Sequence, residues 1–210
     1  MRVYERNLPH WRQEGATYFV TFRLADSLPN SKLEELQAFK REFEFNNPPP
    51  RSSELLDEIA REMFRRIEGW LDQGLGSCVL KDSRFSKRIV ESMHKRDGID
   101  YELGCYVFMA NHVHAILRPL KPGDNDLELI LRAWKGSSAC EINRDRGESG
   151  ALWQQESYDR IIRDEDHLWR VIQYIGRNPK NAGLNPSETP LWIRQEWKEQ
   201  GWRFEETISS

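Results

Sequence analysis

His112 and His114 flank a single residue in the run NHVHAIL. On a strand, residues two apart leave the same face, so both imidazoles can hold one divalent ion while Val113 points to the opposite side. The plainer alternative is two histidines partly buried at a strand edge. A second pair stands at Tyr174 and Asn178, four residues apart in a helical pattern and so one turn from each other on one face. A tyrosine oxygen and an amide oxygen can converge there. Equally, Tyr174 can extend the apolar stripe of Leu168, Val171, Ile172 and Ile175, with Asn178 ending the helix before Pro179.

The elements that must carry these residues follow from pattern. Residues 16–25 (ATYFVTFRLA) are aromatic and β-branched and follow Gly15, which reads as a first strand. Helical spacing covers 31–45 and stops before the prolines at 48–50; a second helix covers 53–71, with Leu55, Leu56, Ile59, Met63, Phe64, Ile67 and Leu71 in phase. Residues 27–76 therefore form a helical hairpin between two strands, an insertion within a single domain of 1–210. An apolar run at 77–80 and a helix over 85–96 come next. Residues 101–109 and 112–118 are apolar runs separated by Ala110 and Asn111, the spacing of a tight β-hairpin. A helix over 126–143, a glycine-containing loop to 160 and a helix over 164–178 follow, and the Trp-rich stretch 191–202 within the 183–210 tail is read as a last helix.

At 210 residues the chain can bury a core without staples. With 31 Lys and Arg against 34 Asp and Glu, overall charge gives no hint of a nucleic-acid partner, so local distribution must carry that question. Cys78, Cys105 and Cys140 form no CxxC pair and are read as packing residues in a reducing compartment. No apolar run approaches the roughly 18 residues of a membrane span, and the N-terminal residues lack the apolar core of a signal peptide. A cytoplasmic protein with no membrane partner is the expectation.

Five segments in order, GATYFVTFRLA, YVFMANHVHAIL, ILRAWKGSSACEINR, LWQQESYDRIIRDEDHL and YIGRNPKNAGL, resemble the single-tyrosine HUH transposases, and within them the branch associated with repetitive extragenic palindromes (REP). Ala110 departs from the proline usual before the Asn-His-Val-His run. The resemblance implies an α+β fold with a ferredoxin-like antiparallel β-sheet and packed helices. It makes His112, His114 and Asn178 ligands of Mg²⁺ or Mn²⁺ and Tyr174 the nucleophile that forms a 5′-phosphotyrosine. It implies single-stranded or hairpin DNA as partner, palindromic elements as target, and a homodimer. Zinc suits such ligands less well for this chemistry.

Around these residues, Arg132, Trp134 and Lys135 on the 126–143 helix, with Gln154, Gln155, Tyr158, Arg160 and Arg163, mix basic, amide and aromatic groups able to bind phosphates and stack unpaired bases, and the resemblance singles out Trp153, Arg160 and Arg163. Tyr158 is the rival nucleophile, lying in a polar loop, but only Tyr174 pairs with Asn178. His10, His94 and His167 have no partner at ligand spacing and are read as surface or packing residues. Two other functional classes stay open. One is a hairpin-binding module that no longer cuts DNA. The other is a structural metalloprotein that the His pair stabilises through zinc.

Overall fold

The computed structural model describes residues 2–5, 9–121, 126–185 and 188–205. A two-stranded ribbon, β1 (Arg2–Glu5) and β2 (Pro9–Arg12), precedes β3 (Tyr18–Arg23), which lies within the expected first strand. Then come α1 (Asn30–Asn46), α2 (Ser53–Leu71), α3 (Ser83–His94), β4 (Tyr101–Phe108), β5 (His112–Pro119), α4 (Asp126–Arg146), β6 (Tyr158–Ile161), α5 (Glu165–Asn181), β7 (Leu191–Ile193) and α6 (Gln195–Glu199).

The main sheet runs β6-β3-β5-β4-β7 with every neighbour antiparallel. Leaving out the edge strand β7, the order by chain position is fourth, first, third, second, which is the ferredoxin-like arrangement that the resemblance implied. β4 and β5 are joined through Ala110 and Asn111, and Met109 N–H donates to His112 O at 2.9 Å, so the two-residue hairpin expected from spacing is present.

Both faces of the sheet are covered, which explains why β3 carries apolar residues on both faces rather than a clean alternation. One face presents Val20, Phe22, Val113, Ala115 and Leu117 to Ile89 and Met93 of α3 and to Trp134 and Ile142 of α4. The other presents Phe19, Val107 and Ile116 to Ile59 and Met63 of α2 and to Ile172 and Ile175 of α5. Along β4 the pairing register shifts between Leu103 and Cys105, which sends Leu103 to the first face and Cys105 to the second. Gly104 sits in this bulge, where any Cβ would overlap the Trp197 indole of α6.

The 27–76 segment is a pair of helices whose ends meet. Ser52 caps α2 by accepting from Leu55 N–H, and Ser77 N–H donates to the Asp26 carboxylate at 2.7 Å. Gly76, at φ +86°, lies so close to the Asp26 carbonyl that a Cβ would not fit. Leu28, Trp70 and Leu71 form a small core with Leu33, Leu36 and Ile67 between the two helices.

Several expectations need correction. The apolar run at 77–80 makes a 3-10 turn over Val79–Lys81 rather than a strand; Cys78 takes a left-handed conformation at φ 49° and Asp82 then caps α3. Residues 158–161, read as loop, form edge strand β6. Pro179 does not end the tyrosine helix but sits inside its last turn, and the chain continues to Asn181. Residues 191–202 are not one helix: Leu191–Ile193 pair with the open edge of β4, and only Gln195–Glu199 is helical. Pro190 favours that extended entry, and Arg194 N–H closes it on Gly104 O at 2.8 Å. Residues 206–210 of the tail and the side chain of His10 lie outside the described residues. Cys105 is buried as expected, whereas Cys140 is exposed. Among the described residues no helix is long and apolar enough to cross a membrane.

Replacing Gly104 by Ala should force α6 off the bulge and lower stability by about 1–3 kcal/mol. Urea denaturation measures it, with a red shift of the Trp emission marking displacement of Trp197.

Candidate metal and tyrosine site

Strand register brings the two histidines to the face shared by α2 and α5. Thr21 lies opposite His114 and Arg23 opposite His112 on β3, while Val113 packs in the other core. Both imidazoles are fully buried, with Nε2 atoms 3.1 Å apart. Asn111, also buried, fixes His112: its Nδ2 donates to Leu71 O and Leu75 O, which leaves Oδ1 to accept from His112 Nδ1 at 2.8 Å. The proton is thereby placed on Nδ1 and the lone pair on Nε2. Thr21 Oγ1 lies 2.7 Å from His114 Nδ1 and orients that ring in the same way.

Helix α5 lays Tyr174 over this pair. Its ring centroid is 5.3 Å from that of His114, and Phe19 packs against both rings. Asn178, one turn later, is buried and stands near enough to the Tyr174 hydroxyl to favour its ionised form. The pairing of Tyr174 with Asn178 read from spacing is therefore present, on the same face as the histidines.

Glu68 of α2 completes the cluster and was missed by sequence reasoning. Its Oε2 lies 3.1 Å from His114 Nε2 and accepts from the Tyr174 hydroxyl, while Oε1 is buried with no hydrogen-bond partner. Glu68, His112 and His114 each offer a ligand atom, and these atoms lie within 4.8 Å of one another. The residues fit a divalent ion on two counts. Bonds of about 2.1 Å in octahedral geometry put neighbouring ligands about 3.0 Å apart, close to the spacings seen here. A buried carboxylate oxygen without a donor, beside an imidazole lone pair, is also a costly arrangement that a cation relieves. The available signal was an acidic residue on a buried stripe: Phe64, Glu68 and Leu71 fall in helical phase.

The electrostatics agree. Burial, with His114 beside it, pushes the His112 pKa down to about 3 against the pull of Glu68, so the imidazole is neutral and ready to ligate. Burial would raise Glu68, but His114, His112 and the Tyr174 hydroxyl outweigh it and hold the carboxyl below its usual range. Tyr174 is raised above an ordinary tyrosine by burial and by the Glu68 charge, with Asn178 opposing.

The other expected site residues divide. Arg160 and Arg163 both reach Asp57 of α2, at 3.6 and 3.1 Å, and line an open groove of about 810 Å³ with Arg61. Arg132 is exposed on a second groove, of about 550 Å³. Trp153 is 6% exposed, in the core against Phe22, and donates to Ser138, so no ring face is left for a base. Lys135 gives its ammonium to Gln154 O, Gln155 O and Ser157 Oγ, which pins the loop before β6 instead of meeting a phosphate. Tyr158 is buried, stacked on Phe64 at 4.0 Å, and raised by burial, a poor position for a nucleophile. His94 packs against Tyr106 and Trp192, and His167 accepts from Arg163 N–H at the start of α5, as the packing reading expected.

No family model matches the chain. An uncharacterized protein of Haemophilus influenzae is 31% identical over an alignment taking in 35% of this chain and 52% of the relative. The chain thus spans about half the length of that curated relative. Among solved structures, a REP-associated tyrosine transposase bound to a REP hairpin aligns over 100% of this chain and 94% of its own, with a TM-score of 0.51 and 17% identity. The two share a fold. At that identity the likeness speaks for architecture alone, a five-stranded antiparallel sheet with helices on both faces.

Two measurements follow from this geometry. Asn111→Ala frees the His112 ring and should weaken Mn²⁺ binding about 10- to 100-fold by calorimetry. In EDTA, the unfolded chain protonates His112 near 6.5 whereas the folded chain refuses the proton until about 3. Stability should therefore fall as pH drops through that window, by up to about 1.4 kcal/mol per unit from this group, and His112→Asn should flatten the slope in denaturation series at successive pH values.

Proposed function

We propose that this protein is a metal-dependent single-strand DNA nuclease and strand transferase of the HUH single-tyrosine transposase kind. The observation that carries the reading is the convergence of Tyr174, Glu68, His112 and His114 in one cluster on a fold shared with a tyrosine transposase.

His112, His114 and Glu68 would hold Mg²⁺ or Mn²⁺, a mixed nitrogen and oxygen set suited to either ion. When bound, the ion polarises the scissile phosphate and lowers the barrier by several kcal/mol. The chain's own residues do the rest. Tyr174 Oη attacks phosphorus in line as its proton passes to Glu68, the carboxylate that already accepts from it. The bond to the 3′ oxygen breaks and that oxygen takes up a proton from water, leaving a 5′-phosphotyrosine and a free 3′-hydroxyl. The covalent link conserves the energy of the phosphodiester, so rejoining needs no external source. Asn178 holds the tyrosine oxygen in place, and the ligand role that the resemblance gave it falls to Glu68 in this reading. Arg160, Arg163 and Arg132, on the two surface grooves, are suited to DNA phosphates. Folded single strands carrying palindromic hairpins are the proposed substrate.

Incubation with labelled single-stranded hairpins and Mn²⁺, followed by denaturing electrophoresis, should give a covalent protein-DNA band. Tyr174→Phe should abolish it, Tyr158→Phe should leave it, and Glu68→Gln should slow its formation by about 10²- to 10⁴-fold. Tight hairpin binding with no adduct in either metal would favour a module that binds without cutting.

A further inference from the structure

Beside Glu68 the structure holds a cavity of about 210 Å³ between β3, the α1–α2 hairpin and the segment before β6. Thr21 and Glu68, which contact His114, are among its lining residues. One wall is the stacked pair of Phe64 and Tyr158, with rings 4.0 Å apart and 20° from parallel. Gln37 and Gln154 and the charged side chains of Arg23, Lys40 and Glu156 line it as well, with apolar residues of the hairpin. Neither of the two larger grooves is lined by Glu68 or the histidines.

Arg23 is the unusual member. It follows Thr21 by two residues on β3 and pairs in register with His112, so it shares their face of the sheet. Only its Nη1 is engaged, by Ser27 Oγ at 3.0 Å and Leu24 O at 3.4 Å. Among the described residues no carboxylate lies within ion-pair distance of it. Burial pushes its pKa down to about 10, with the Glu156 charge opposing. A guanidinium brought out of water with no carboxylate in ion-pair contact, lining a cavity, suits an anion, and a phosphate matches its fork in shape and charge. The aromatic wall adds an apolar surface of the sort on which unpaired bases rest, and amides can bond base edges. The volume is below the roughly 300–1,000 Å³ typical of sites for whole small ligands, which limits the occupant to one nucleotide unit.

We infer that this cavity seats the nucleotide adjoining the scissile phosphate of a DNA single strand, with Arg23 taking its phosphate and the Phe64–Tyr158 wall its base. The inference rests on the nuclease reading above and makes the helical hairpin one half of the substrate channel.

The test is fluorescence anisotropy with a fluorescein-labelled single-stranded oligonucleotide in EDTA, over a series of NaCl concentrations. Arg23→Gln should weaken binding about tenfold and flatten the salt dependence by about 0.7 in logarithmic slope. Arg23→Lys should restore the slope but not the whole affinity. Gln37→Glu, at an exposed position where folding is not at stake, should weaken binding by setting a carboxylate at the mouth. Calorimetric Mn²⁺ affinity of Arg23→Gln should not fall, since the charge removed is not a ligand and repels the cation. Native affinity and slope in both Arg23→Gln and Gln37→Glu, with the unaltered protein binding the oligonucleotide, would overturn the cavity assignment alone. Failure of the unaltered protein to bind any single strand would overturn the nuclease reading and the cavity with it.

Discussion

Burying the Glu68 carboxylate against two imidazoles costs several kcal/mol unless its charge is answered. His114 of β5 and Tyr174 of α5 answer it at one carboxylate oxygen, and the other oxygen, which no donor reaches, is where a cation would answer the rest. That requirement ties together elements far apart in sequence. The sheet can present a His pair by itself, but only with α2 pressed on the same face is there a carboxylate for it, and only with α5 beside α2 does the tyrosine meet that carboxylate. The cluster is a constraint on the packing of the whole lower face of the sheet.

A ferredoxin-like layer of four strands and two crossover helices leaves one face of its sheet open. Here α3 and α4 cover one face, and α5 with the α1–α2 hairpin covers the other. The covering is local in its anchoring. Asp26 and Ser77 close the base of the hairpin, and Asn111 ties the end of α2 to the turn that carries His112. Movement of the hairpin would thus reach the turn that carries His112 through two short hydrogen-bonded links. The segment read from sequence as an insertion supplies Glu68 to the buried cluster.

What the sequence made legible was what repeats. The β4–β5 hairpin and the helices α2, α3 and α5 carry their apolar residues at strand or helix period over several turns, and their positions were found within a few residues. β6 was not: YDRI is four residues, half polar, at an edge where packing supplies no alternation. β7 failed for a related reason, since Leu191–Ile193 become a strand only because the edge of β4 is there to receive them. At the site, spacing within one element offered His112 with His114 and Tyr174 with Asn178, the family resemblance singled them out, and the fold brings them to one face. Glu68 and Arg23 are placed by tertiary packing, and a single acid among many on an amphipathic helix has no spacing to announce it. Lys135 and Trp153 show the converse. Their types suited DNA, but the fold spends one on pinning a loop and the other on the core.

The most direct measurement is anomalous diffraction at the manganese edge from crystals grown or soaked with MnCl₂. One peak within bonding distance of His112 Nε2, His114 Nε2 and a Glu68 carboxylate oxygen is the expected result, with Tyr174 Oη at its rim. A peak bonded to the histidines but not to Glu68, or manganese bound only elsewhere, would contradict the claim that α2 supplies the third ligand and that the hairpin belongs to the site.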